Sequence, residues 1–486
     1  VTILAASRMR VPNDRWEVRA ANLLDGTPQT VAWQQLLLML GLLCIVGLLA
    51  ELGLGMPARL FYIATGLIVA RFFIRRSPWQ FMTLSLWFWT LTPLCRRLIN
   101  YHAGFNPTDF VLATPNLLTL FMLRDVLCSR DLWRLRESQL GLLLLMPCLY
   151  GLISSFIRGE LFAGAAGAAD WLAPILYYFY ILANRRRIGE MEVILTPFIA
   201  INLLVLVAYG LCQYFLPSAW DVAWVVASKM DSIGQPYPMK LRIFSTVSAP
   251  QPLAFWLGTL ILLSTHFRSR LTPFLVPPAL LVLFMTLVRS EFLALGVGML
   301  VAVALGRGGA VRSLSVLAAL AVLLGAVISV ASPQTFDVIS DRVATLGELG
   351  SDESTLQREA LYRAAPALID DNPIGFGLGG VGRGATASAN ESLVYVDSGP
   401  VAIYLSLGWV GGSVYLAGIG LVLIQCLLAA RQSHSGAAVA LSSASISLAS
   451  NILSVNMLDL GGAAIWICCA YASASVIEAR FAGRSP

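Results

Sequence analysis

Arg289 and Glu291 stand two residues apart at the junction of two apolar runs, in the stretch Thr-Leu-Val-Arg-Ser-Glu-Phe-Leu at 286–293. A charge with so little loop around it sits at or just beneath a membrane surface, where burial is expensive without a partner or a ligand. Glu291 is one candidate partner, but residues two apart on a helix do not face each other, so the pairing needs an intervening turn. The other candidate is an anion. Arg242 opens a second polar stretch, Arg-Ile-Phe-Ser-Thr, ahead of Pro250. A planar, permanently charged guanidinium beside the hydroxyls of Ser245 and Thr246 suits phosphate oxygens at a membrane surface, although the same side chain would also reach lipid headgroups with no further role. Asp397, ahead of Ser-Gly-Pro400, either caps a helix or accepts a proton from a hydroxyl.

These residues need a scaffold, and the composition says which kind. The 486 residues are 57% hydrophobic and only 12% charged, against roughly 25% charged in a soluble domain. The expectation is an all-α polytopic integral membrane protein of about twelve to fourteen spans. The net charge of +6 follows from arginines gathered in loops on one side of the membrane, so nucleic acid is a poor partner. Eight cysteines lie mostly within apolar runs, and His102, His266 and His434 are scattered. Neither a disulfide framework nor a histidine metal site is expected, and no metal or cofactor is assigned.

The expected organisation is a cytoplasmic segment at 1–30, a transmembrane bundle at 31–331 with a periplasmic loop at 217–248, a large periplasmic loop at 332–398, and C-terminal helices with a cytoplasmic tail at 399–486. Both termini fall inside by the placement of basic clusters such as Arg185-Arg186-Arg187. Arg289 then lies outside, at the top of a hairpin of spans at 271–288 and 289–306. In the large loop, Ser354-Thr-Leu-Gln357 has the form of a capping box and Asn372-Pro373 is a stop, which predicts a helix ending near Asp371. Arg358 and Tyr362 share its face, and Arg363 is the other arginine there that would act locally on an anion. The run Asn372-Pro-Ile-Gly375-Phe-Gly377-Leu-Gly379-Gly380-Val-Gly382 lacks the strand before and the Gly-Lys-Ser/Thr after that a nucleotide loop needs. Its glycines are expected to form a tight turn packed on the membrane domain.

In order along the chain, Arg242-Ile-Phe-Ser-Thr with Pro250-Gln-Pro-Leu-Ala, Thr286-Leu-Val-Arg289-Ser, and Asp371-Asn-Pro-Ile-Gly-Phe-Gly-Leu-Gly resemble motifs of the O-antigen ligase and Wzy-type polymerase superfamily. The resemblance covers about residues 190–425. It implies a GT-C-like glycosyltransferase of the bacterial inner membrane, with its site facing the periplasm. Undecaprenyl-diphosphate-linked oligosaccharides would be donor and acceptor, membrane lipids the surroundings, and chain-length regulator and export proteins the candidate partners. The reaction implied is metal-independent and inverting, with Arg242 and Arg289, joined by Arg358, on the diphosphate. Asp397 is the candidate base and Glu291 its rival. Tyr362, Arg363, Ser245 and Thr246 are candidate acceptor or loop contacts. Ligases carry a His-Asn pair ahead of the span that begins here near Gly399, whereas this chain has Val396-Asp397-Ser-Gly. That favours a polymerase over a ligase; a transporter is the alternative from another class.

Overall fold

The structure, a computed structural model, describes residues 27–230, 233–306, 353–382, 385, 396, 398–433, 435–456 and 458–481. The expected span at 313–331, most of the first 30 residues, His434 and Asp397 lie outside the described residues. The rest is helical, and among the described residues the only β pairing is an isolated bridge between Gly234 and Leu241. Nine helices there are long and apolar enough to cross a membrane by length and composition.

In chain order the helices are α1 (Pro28–Glu51), α2 (Gly55–Arg76), α3 (Pro78–Ala103), short turns through Phe110–Cys128, α6 (Arg136–Ile157), α7 (Leu161–Ala183), α8 (Ile188–Phe215) and α9 (Ala219–Ser228). The short turns hold α4 (Thr114–Thr119) and α5 (Met122–Cys128). There follow α10 (Pro250–Leu263), α11 (Thr272–Met285), α12 (Arg289–Leu305), α13 (Glu353–Asp371), α14 (Gly399–Ser433), α15 (Gly436–Ser450) and α16 (Asp459–Phe481).

The helices α3 and α16 are almost wholly enclosed, and the polar side chains of α3 are buried along with its apolar ones. Ser77 caps α3 by accepting from the Trp79 N–H, and Pro78 occupies its first turn, where a missing N–H costs nothing. Around this centre, α1 and α2 turn large apolar side chains outward, among them Leu37, Ile68 and Phe72. On a soluble protein that surface would aggregate; around a membrane bundle it meets hydrocarbon. The chain is thus a polytopic, all-helical membrane protein.

Two expectations about elements are met closely. The hairpin appears as α11 and α12 joined by residues 286–288, and the loop helix appears as α13, which ends at Asp371. Two features are additional. Residues 219–228 form a short helix that packs on α3, and α14 is broken at Gly408, whose φ of 68° lies in the left-handed region.

Candidate functional site

The stretch 242–249 has no regular structure, and its backbone groups must find partners elsewhere. Gln213 of α8 supplies one acceptor, its Oε1 taking the N–H groups of Phe244 at 3.0 Å and Ser245 at 2.8 Å. Arg97, near the end of α3 and 1% exposed, supplies the donors. Its guanidinium donates to the carbonyls of Val247 at 3.1 Å and Ser245 at 2.6 Å, faces Asp221 at 3.3 Å and lies over the Phe244 ring. Asp221 also accepts from the Tyr209 hydroxyl at 3.0 Å. A buried cation is tolerated when a counter-charge and hydrogen bonds answer it; here Asp221 supplies the charge, and the two carbonyls take both terminal nitrogens. Ser245, with φ at 49°, donates its hydroxyl inward to the Leu206 carbonyl at 2.8 Å. Thr246 is buried beside it.

Held this way, the stretch delivers Arg242 to the end of α11. Its Nε donates to the Thr286 carbonyl at 2.9 Å and a terminal nitrogen to the Leu287 carbonyl at 3.2 Å. These carbonyls carry the negative end of the helix dipole, which a guanidinium offsets. Leu287 takes a positive φ of 55°, costly for a branched side chain, and the turn it makes places Arg289 at the first position of α12. The Arg242 guanidinium therefore lies on the turn that leads into α12, bonded to carbonyls two and three residues before Arg289 in the chain, and both arginines are half-buried.

Within the first turn of α12, Glu291 is 1% exposed. Its Oε2 accepts from the Asn451 amide at 2.8 Å. Its other oxygen lies over Gly258 of α10, where an added Cβ would fall 1.8 Å away, so only glycine leaves the carboxylate room. The turn that begins at Asn451 gathers the other candidates. Tyr362 of α13 donates to the Leu453 carbonyl at 3.1 Å and accepts from the Ser398 hydroxyl at 2.9 Å. Gly399 packs against the Ile452 carbonyl. The start of α14, the face of α13 and the end of α15 are thereby fastened together beside Glu291. Asp397 and the Arg358 side chain lie outside the described residues. Arg363 pairs with Glu359 at 2.5 Å on the exposed face of α13.

The glycine run folds as expected against the membrane helices. Gly167 of α7 packs on the Leu378 carbonyl, and Gly379 packs on Ala163 and Gly164. The run also mends the break in α14. Phe376 and Gly377 donate their N–H groups to Leu405 and Ser406 at 2.7 and 2.9 Å, and Trp409 donates to the Pro373 carbonyl at 3.0 Å. Arg158, the residue that follows α6, holds the turn through the Gly375 carbonyl at 2.8 Å.

Arg97, Gln213, Asp221, Asn451 and Arg158 do not stand out in the sequence reading, yet they set the geometry. The doublet Arg96-Arg97 at the end of an apolar run was the one visible sign, since charge there needs a partner.

The arrangement is that of a membrane-embedded helical bundle presenting arginines, a buried carboxylate and a clamped loop helix at one end. Residues 274–416 match the family model described as O-Antigen ligase, which is consistent with the superfamily whose motifs the sequence resembles. The match contains Arg289, Glu291, Tyr362 and Asp397, and leaves Arg97, Arg242 and Asn451 on either side. No curated protein matches the chain.

Proposed function

We propose that this chain transfers a glycan from undecaprenyl diphosphate to the hydroxyl of another lipid-linked repeat unit, at the periplasmic face of the bacterial inner membrane, with both termini cytoplasmic. The family match supports a membrane glycan-handling enzyme. The observation that carries the rest is the corner where Arg242 clasps the Thr286 and Leu287 carbonyls beside Arg289. A guanidinium that gives two N–H groups to neutral carbonyls keeps its full charge, so Arg242 adds a cation to the turn from which Arg289 begins α12.

In the proposed reaction the acceptor oxygen attacks the anomeric carbon and its proton passes to a carboxylate. The bond from that carbon to the diphosphate oxygen breaks, and Arg242 and Arg289 offset the charge that develops on the leaving diphosphate. The enclosure of Glu291 under Asn451 and Gly258 favours Asp397 as the base, with Glu291 in a positioning role. The lack of a histidine in the loop at 332–398 favours polymerase. The ligase reaction, identical but for its acceptor, is favoured by the description of the matched family.

Deleting the gene and analysing lipid-linked intermediates separates them. A single repeat unit accumulates if the chain polymerises, full-length chains accumulate if it ligates, and no accumulation of either sinks both. Arg289→Ala, expressed at the normal level, is expected to abolish product while repeat units are still made and flipped; an unchanged ladder of chain lengths removes Arg289 from its assigned role. Asp397→Asn is expected to spare donor binding and stop turnover, and full activity in that variant reduces Asp397 to a helix cap.

A further inference from the structure

At the end that carries Arg242, the end of α3 and the helix α9 line a half-open cavity of about 150 Å³. Its walls include the rings of Tyr101, Phe105, Trp220 and Trp224, and Arg97 and Asn100 also line it. The rings of Tyr101 and Phe105 are 45% and 40% exposed, whereas Trp224 is buried. We propose that this cavity takes one uncharged sugar ring of the glycan on the lipid-linked substrate. The inference rests on the glycosyl-transfer reading above and adds a place for the sugar to it.

Size, shape and chemistry all bear on the occupant. A cavity of about 150 Å³ holds a single six-membered ring, well short of the roughly 300 Å³ at which drug-sized pockets begin. Leu, Ile, Val and Met are absent from the lining, which is unlike a wall built for an isoprenoid chain; flat aromatic faces suit the C–H faces of a sugar. Two donors in the lining lack hydrogen-bond partners among the described residues, the Asn100 amide nitrogen and the Trp224 indole nitrogen. The orientation of Asn100 is set by Arg59, whose guanidinium donates to its Oδ1 at 3.0 Å, and its amide nitrogen is buried with no acceptor among the described residues. Hydroxyl oxygens accept such bonds, and a hydrocarbon chain offers none. Phosphate is disfavoured because Asp221 balances the Arg97 charge at 3.3 Å.

The walls are also fixed in place. Arg96 stacks over Trp224 at 4.6 Å and donates to the Pro107 carbonyl at 3.0 Å, which ties α9 to the loop that carries Phe105. Trp220 donates its indole N–H to Tyr209 at 2.8 Å. Arg97, which lines the cavity, also holds Ser245 and Val247, so the ring site and the stretch that delivers Arg242 share one anchor.

The test titrates the purified full chain in lipid nanodiscs with two probes, undecaprenyl diphosphate and the undecaprenyl-diphosphate-linked repeat unit extracted from the deletion strain. The wild type is expected to prefer the sugar-bearing probe. Tyr101→Ala and Phe105→Ala are each expected to reduce that preference by roughly threefold to tenfold while binding undecaprenyl diphosphate as before, and Phe105→Trp, which keeps a ring, to retain it. Equal weakening toward both probes in the alanine variants would mean that the cavity serves the lipid, and overturns the proposal. So does an unchanged preference in those variants, or a wild type that binds the two probes equally, which leaves the diphosphate assignment standing. A wild type that binds neither probe overturns the glycosyl-transfer reading, and the ring site with it.

Discussion

Arginines at the two ends of this bundle are used in opposite ways. At one end, Arg97, Arg158 and Arg242 reach backbone carbonyls of segments far away in the chain, as Arg97 does across 150 residues to Val247. At the other end, Arg187 pairs with Glu190 three residues on, and Arg186 meets Asp131 with both side chains more than half exposed. Arg185 is buried there as well, 3.6 Å from Glu478. A pair as exposed as Arg186 and Asp131 contributes little to stability, but basic side chains there still bias which side of a membrane the loops take. Enclosed arginines on carbonyls instead specify geometry, because losing one strands several polar groups at once. The contrast separates an end whose charges orient the chain from an end whose charges build a site.

Mutation can break or sharpen that contrast. The largest effect is expected for Arg97→Ala, which leaves Asp221 buried without its cation and unties Ser245 and Val247. A destabilisation of about 3–5 kcal/mol is expected, read as a much lower unfolding temperature in detergent and poor recovery of folded protein. A near-normal melt would show that the stretch 242–249 is held by something else. Asn451→Ala comes next, at about 1–3 kcal/mol, because it strips the hydrogen bond from an enclosed carboxylate. Its signature is a fall in turnover larger than any change in donor binding, and a loss confined to donor binding would contradict the positioning role of Glu291. The smallest effect is expected for Arg186→Ala, below about 1 kcal/mol with transfer activity intact. A melt lowered as far as that of Arg97→Ala would erase the distinction between the two ends.

Much of the fold was legible because hydropathy declares membrane helices directly. The hairpin of α11 and α12 followed from two apolar runs with no loop between them, and α13 followed from a capping pattern and an Asn-Pro stop. The corner of the site was half legible. Arg242 and Arg289 were conspicuous as charges at the edges of apolar runs, but the placing of Arg242 on the turn before Arg289 depends on Gln213 and Arg97, whose partners lie 31 to 150 residues away. The hydroxyl of Ser245 looked available beside Arg242 and instead bonds to Leu206, because a left-handed backbone turns it inward. Asn451 gave no local sign, since an amide within a run of serines and apolar residues has no periodicity to mark it. The break at Gly408 was hidden for a related reason. A glycine inside an apolar run fits a continuous helix equally well, and only the tertiary bonds from 373–377 show otherwise.

That break limits how the protein can be re-engineered. The carbonyls of Leu405 and Ser406 and the N–H of Trp409 are answered by residues 373–377, and in hydrocarbon nothing else would answer them. Gly375 and Gly408 also touch backbone to backbone, with no space for a side chain on either. A chimera that exchanges the segment before α14 with a relative's must therefore carry residues 372–409 as one cassette. A graft that stops at Gly399 would import a loop and leave behind the half of the helix it was shaped to complete.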